Sequence, residues 1–280
     1  MKSFATLALA ALLIVIAPQA RLAALEDDQY DVPYVPTPMK TVAKMLEMAK
    51  VKPSDVIYDL GSGDGRIVIA AVRDYGARKG VGVDINPVRI REGNDNARKA
   101  NVTDKVKFVE GDVFEFDFSE ATVLSMYLLT EVNLRLRPRI LSILKPGTRV
   151  VSHDFDMAEW EPDDVASMDS FRHVYLWIVP AKVEGNWELA IGAAKYQLKL
   201  DQFFQRISGE MQSGGRTFSV STGRLNGEEI DFSGRALDAG RDVPARYTGR
   251  VTGADEIEGQ VEINGRKTAF KARRTAGERR

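Results

Sequence analysis

Val56-Ile-Tyr-Asp-Leu-Gly-Ser-Gly-Asp-Gly-Arg-Ile-Val-Ile-Ala-Ala71 runs an apolar strand into three alternate glycines and out into an apolar helix. Gly61, Gly63 and Gly65 permit positive φ and leave no Cβ between a ligand and the backbone, while the N–H groups opening the helix attract an anion. The spacing excludes two common ligand classes. A dinucleotide fingerprint would place glycine at Arg66, and a phosphate-binding P-loop would end in Gly-Lys-Ser/Thr. What remains is Asp59-x-Gly-x-Gly-x-Gly65, with Ser62 inside the turn. A plain glycine turn in an α/β domain is the alternative.

This motif resembles the first motif of class I S-adenosylmethionine (SAM) methyltransferases, whose ligand carries an ammonium group and no phosphate. The resemblance makes Asp59, Gly61, Ser62, Gly63 and Gly65 cofactor residues. Downstream, Gly80–Val83 reads as a strand ending in Asp84, 19 positions after Gly65. An acid at that carboxyl end lies where a ribose meets the glycine turn, and its two oxygens can accept both hydroxyl protons; a structural turn is the rival reading. Asn86-Pro87 cap a helix running to about Ala100. After a third strand, Val106–Val109, Asp112 is placed to accept from an adenine amine, with Val113 and Phe114 beside the ring; a helix cap is its alternative. Upstream, Val32-Pro-Tyr-Val-Pro-Thr-Pro38 is a proline-stiffened arm before a helix to Ala49. Tyr34 and Thr37 either close over the cofactor or only anchor that arm.

The fourth strand, Thr122–Tyr127, ends beside the cradle, making Tyr127 the aromatic nearest the reaction unless it serves the core. Ser125-Met-Tyr-Leu128 stands where many amino-methylating enzymes carry Asn/Asp-Pro-Pro-Tyr, which weakens a nucleic-acid reading. Asn133–Leu144 reads as a helix. The fifth strand, Thr148–Ser152, ends in His153-Asp-Phe-Asp156 on the same face. His153 or Asp154 then orients a substrate amine, against the alternative of a histidine bonded to a loop carbonyl. Tyr127, His153 and Asp154 are the candidate catalytic residues.

Taken together, Val32-Pro-Tyr-Val-Pro36, Asp59-Leu-Gly-Ser-Gly-Asp-Gly-Arg-Ile-Val68, Asp84-Ile-Asn-Pro87 and Arg149-Val-Val-Ser152 resemble the seven-β-strand protein-lysine methyltransferases. The similarity is to the mitochondrial enzymes acting on the ATP synthase c subunit and the adenine nucleotide translocase. It covers about Val32 to Pro162. It implies a Rossmann-like, mostly parallel seven-stranded α/β sheet, SAM as cofactor, and lysines of membrane proteins as substrates.

Composition sets the bounds. The 280 residues, 44% hydrophobic and 28% charged, suffice for an α/β domain and a smaller one. A net charge of −1 offers no general field for nucleic acid. The basic stretch Lys271–Arg280 reads as a solvated end. Cysteine is absent, and the two histidines cannot make a zinc site alone, so no metal is expected.

Three segments follow. Residues 1–24 read as a signal peptide or uncleaved anchor: Lys2, an apolar run from Phe4 to Ala17, then Ala20-Arg-Leu-Ala-Ala24 before Glu26-Asp-Asp28. A buried helix is the alternative. Residues 25–183 form the methyltransferase domain. Residues 184–280 alternate in short stretches punctuated by glycine, indicating a small antiparallel β domain, barrel or sandwich. In it, Thr222-Gly-Arg-Leu-Asn-Gly227 echoes Thr248-Gly-Arg-Val-Thr-Gly253, a sign of repeated hairpins. His173–Val179 is expected to complete the first sheet.

The leading expectation is therefore a SAM-dependent methyltransferase acting on a protein lysine. Two alternatives stand beside it: a small-molecule or lipid acceptor, and a non-catalytic exported binding protein on a methyltransferase core. The amino-terminal segment points to export into a bacterial envelope or to membrane anchoring, with the cytoplasm, where SAM is made, as the alternative.

Overall fold

The computed structural model describes residues 32–238 and 240–275. The signal-or-anchor segment 1–24 lies outside the described residues. Among those described, no helix is long and apolar enough to cross a membrane.

Strand β1 (Val56–Leu60) is buried at every position and is an interior strand of a seven-stranded sheet. The others are β2 (Lys79–Asp84), β3 (Val106–Glu110), β4 (Val123–Met126), β5 (Arg149–His153), β6 (Asp164–Ser167) and β7 (His173–Ile178). Their order is β3-β2-β1-β4-β5-β7-β6. β1 to β5 are parallel, and β7 runs antiparallel between β5 and β6. The central strands β1 and β4 are buried at every position, as in a sheet covered on both faces. Helices α1 (Met39–Met48), α2 (Arg66–Arg73), α3 (Pro87–Lys99) and α4 (Thr130–Ile143) belong to this half. Strand order reverses between β1 and β4, which opens a crevice at their carboxyl ends.

At the opposite end of the sheet lies a buried ion pair. Arg149 Nη2 is 2.5 Å from Asp55 Oδ1, and Asp55 is 1% exposed. Arg149 also donates to the carbonyls of Ala49 and Lys50, and Asp55 accepts from Thr122 Oγ1 and Lys52 N. Burial raises the Asp55 pKa, but the bonds from Arg149, Lys52 and Thr122 outweigh it and hold the carboxyl below its usual range.

The second half settles between barrel and sandwich. Eight antiparallel strands, from β8 (Gly185–Ile191) to β15 (Arg266–Arg274), pair in sequence, and β15 pairs with β8 to close the barrel. Trp187, Tyr196, Phe232 and Tyr247 fill it. The echoed hexapeptides end β11 (Arg216–Asn226) and β13 (Arg241–Val251) at their hairpins. β10 (Arg206–Ser213), β13 and β15 carry few apolar residues and escaped the alternation reading, as did β6, which is exposed at most positions. The basic stretch corrects an expectation. Lys271–Arg274 is no solvated end but the closing strand: Phe270 and Ala272 point inward, Lys271 pairs with Glu258, and the Arg274 guanidinium lies 4.2 Å from the Trp187 ring centre.

Candidate active site

The glycine turn folds over the end of β2: Gly61 N and Ser62 N both donate to Val83 O at 2.9 Å. All three glycines have positive φ, but they serve different neighbours. A Cβ at Gly61 would come within 2.6 Å of Leu128, and one at Gly63 within 2.5 Å of Tyr34. At Gly65 it would lie 2.2 Å from Phe108. Gly61, Ser62 and Gly63 line a cavity of about 310 Å³; Gly65 does not. The expected cofactor contact at Gly65 is thus replaced by packing, because the chain has already turned into α2 and presses it on β3. Gly65→Ala should cost about 1–3 kcal/mol in chemical denaturation, from overpacking and the left-handed backbone.

Asp84 is held for use. Its Oδ2 accepts from Gly63 N at 2.8 Å and its Oδ1 from Asn86 N at 2.9 Å, so the backbone aims both oxygens. Asn86 Oδ1 in turn caps α3 through Val88 N. Asp112 lines the same cavity with Val113 and Phe114; its Oδ1 accepts from Phe114 N at 2.8 Å in a turn where no helix follows.

Asp59 also lines the cavity, yet its residue is 2% exposed. Burial pushes its carboxyl up to about 8 despite a 2.7 Å bond from Ser125 Oγ, and the nearby Asp84 and Asp64 add to the rise. An ammonium group bound beside it would lower this pKa and return the carboxyl to its charged form. The sign of the shift is testable. Unfolded, the carboxyl ionises near pH 4, so between about pH 4 and about 8 only the folded chain keeps the proton, and stability falls as pH rises through that window. Asp59→Asn should flatten this slope in melts of ligand-free protein at pH 5 and pH 8; equal slopes would refute the burial argument.

The proline arm crosses the turn. Tyr34 covers Gly63, and the Arg89 guanidinium sits 4.0 Å above its ring. Arg66 grips Asp64 with two nitrogens and donates from Nη1 to Thr37 O at 2.8 Å. Thr37 Oγ1 lies 3.3 Å from His153 Nδ1. Thr37 and Tyr34 both line the cavity. The sequence reading does not single out Asp64, Arg66 or Arg89; the Asp64-Gly65-Arg66 step after the second glycine is the signal for the first two.

On the far wall stand Tyr127 and Phe155, with ring centres 6.0 Å apart. His153 is fully buried behind Tyr127, at 4.0 Å between ring centres, and does not line the cavity. Val151 and His153 lie two apart on β5 and share the α1 face, which draws the imidazole under Thr37. Burial lowers its pKa more than Asp154 raises it, so the ring is neutral at pH 7. Asp154 adopts a left-handed backbone and turns back on β7, accepting from His173 N at 2.8 Å. Its Oδ2 is 3.4 Å from His153 Nε2. The expectation that His153 and Asp154 face a substrate amine is therefore corrected: they support the wall, and Phe155, unread before, forms it with Tyr127.

The cavity fits SAM by its donors and acceptors: an aimed carboxylate for hydroxyls, a buried acid for an ammonium, and Val113 with Phe114 for an apolar ring. With this sheet order, the site defines a SAM-dependent methyltransferase. The ANTKMT methyltransferase domain family matches residues 59–164, and a protein-lysine N-methyltransferase of Saccharolobus islandicus (strain REY15A) is 52% identical over 151 residues, 53% of this chain and 94% of that protein. The chain belongs to this protein-lysine N-methyltransferase family. The adenine nucleotide translocase lysine N-methyltransferase of Mus musculus is 31% identical over 131 residues, 47% of this chain and 56% of its own length. A crystal structure described as an RNA methyltransferase from Salinibacter ruber, bound to S-adenosyl-L-homocysteine, is 52% identical, covers 53% of this chain and 96% of that one, and superposes with a TM-score of 0.52.

Proposed function

We propose that this enzyme methylates a lysine of a membrane-protein substrate, presented against the Tyr127–Phe155 wall. The cavity carries the reading: beyond the acids that suit the cofactor, it is walled by the aromatic rings of Tyr127 and Phe155, an apolar lining against which an amine loses solvent. Its cations are engaged, Arg66 with Asp64 and Arg89 with Glu92, which leaves little to attract a phosphate backbone. When bound, SAM supplies a methyl group activated by its sulfonium.

The chain's residues do the rest by placement. Asp84 and the turn from Gly61 to Gly63 fix the cofactor end. Tyr127 and Phe155 exclude water, and loss of solvent lowers a lysine pKa, so the amine is held neutral without a dedicated base. The Tyr127 hydroxyl stays protonated, because burial and then Asp154 raise its pKa. Holding the reacting atoms about 3 Å apart and in line supplies most of the acceleration.

The test incubates purified enzyme and labelled SAM with a membrane-protein extract and, separately, with total RNA. Label recovered on lysine is expected. Label confined to RNA would move this enzyme to the activity described for the Salinibacter relative, and label confined to small molecules would discard the protein acceptor.

Location forms part of the same proposal. The apolar run from Phe4 to Ala17, flanked by Lys2 and by the later acids, supports delivery to the bacterial membrane or envelope. Alkaline phosphatase fused behind residue 40 should be active. A stable but inactive fusion would return the enzyme to the cytoplasm, beside its SAM supply.

A further inference from the structure

The barrel meets the methyltransferase half at the segment that forms the acceptor wall. Residues 154–163 leave β5 with Phe155 on the cavity and descend along α4 to β6. The upper part is held within its own domain. Ser152 Oγ donates to Phe155 O at 2.7 Å, Asn133 Nδ2 to the same carbonyl at 3.1 Å, and Arg137 Nη1 to Met157 O at 2.7 Å.

The lower part is held by the barrel. At the turn between β9 (Ala194–Phe203) and β10, Phe204 lies within 17° of parallel to Trp160, with ring centres 6.0 Å apart. Gln205, 2% exposed, donates from Nε2 to Glu161 O at 2.6 Å, and Arg224 pairs with Asp163 at 2.6 Å. Trp160 is fully buried, and its Nε1 has no hydrogen-bond partner among the described residues. A buried donor left unpaired favours hydration over burial. The segment therefore stays seated through Trp160's contacts with Trp177 and Phe204, its carbonyl bond from Trp177 Nε1, and the Gln205 anchor. Phe204 itself adopts a left-handed backbone, a strained state for a bulky residue, at the point of contact.

We propose that the barrel is a brace for the acceptor wall, with Phe204 and Gln205 as positioning residues that hold segment 154–163, and hence Phe155, for methyl transfer. The proposal rests on reading Tyr127 and Phe155 as the acceptor wall. It also assigns a task to the barrel, for which the Saccharolobus relative, matched over 94% of its length by 53% of this chain, has no room.

Full-length Phe204→Ala, Gln205→Ala and Phe204→Tyr are compared with the parent by three measurements. SAM affinity should stay within about twofold, since the contacts lie away from Asp84 and the glycine turn. Amide hydrogen exchange over residues 154–160 should quicken by about tenfold or more in the two alanine variants. Transfer to the acceptor the parent labels should lose about tenfold or more in kcat/KM, because small misplacement of a reacting group is costly, and Phe204→Tyr should restore it. Parental exchange in both alanine variants, or a loosened segment with unchanged kcat/KM, overturns the brace. A parent that labels no acceptor at all strikes the lysine reading instead, while the exchange measurement still decides whether the barrel holds the wall.

Discussion

Asp84→Ala weakens SAM binding by at least about tenfold, read by calorimetry, because removing a charged acceptor from two hydroxyls costs roughly 1.5–3 kcal/mol. The substitution acts twice. It deletes the carboxylate at the end of β2, and it releases Gly63 N and Asn86 N, the two backbone donors that now fix the turn and the start of α3. Asp84→Asn separates the effects, since the amide keeps one acceptor oxygen while losing the charge. It should retain more affinity than alanine. Parental SAM affinity in Asp84→Ala would remove the ribose assignment and with it the orientation proposed for the cofactor.

The second large effect concerns stability. Asp55→Ala should destabilise the methyltransferase half by about 3–5 kcal/mol, the range for breaking a buried ion pair and stranding its partner. Arg149 would keep its bonds to Ala49 and Lys50 but lose the carboxylate beneath it. A double variant, Asp55→Val with Arg149→Met, should recover much of the loss, because neither charge is then stranded. The pH dependence is opposite to that of Asp59. The folded pKa of Asp55 is depressed, so its contribution is complete above the unfolded carboxylate value near 4 and is lost as pH falls through the lower folded value. Denaturant titrations at pH 7 and pH 3 should show the difference between parent and Asp55→Ala shrinking in acid. A difference as large at pH 3 as at pH 7 would contradict the ion-pair account.

These two residues differ in how far sequence alone reveals them. The position of Asp84 is legible because it follows from local order: a strand ends, an acid stands at its carboxyl end, and Asn86-Pro87 starts the next helix. Asp55 is not. Its partner is Arg149, and only the pairing of β1 with β4 and of β4 with β5 brings them together. The same contrast divides the active site. The glycine turn, Asp59 and Tyr127 belong to strand ends whose crevice follows from the parallel topology. His153 and Asp154 depart from expectation because a strand end alone does not say which face of the sheet a side chain joins; the arm at Thr37 engages the first and β7 the second.

In the second half, alternation established antiparallel hairpins, and the echo between Thr222–Gly227 and Thr248–Gly253 marked two of them. Closure could not be read, because β15 pairs with β8 across the whole length of the barrel and its outward residues look like a charged tail. Thus residue order by itself determined the parallel strands, the glycine turn and the acid at the end of β2, since each depends on short-range periodicity and turn chemistry, while the cofactor class followed from the resemblance those motifs carry. The arm over the turn, the Tyr127–Phe155 wall, the Asp55–Arg149 pair and the contact of Phe204 with Trp160 were decided by tertiary structure, because each joins residues distant in the chain whose meeting depends on how complete layers pack.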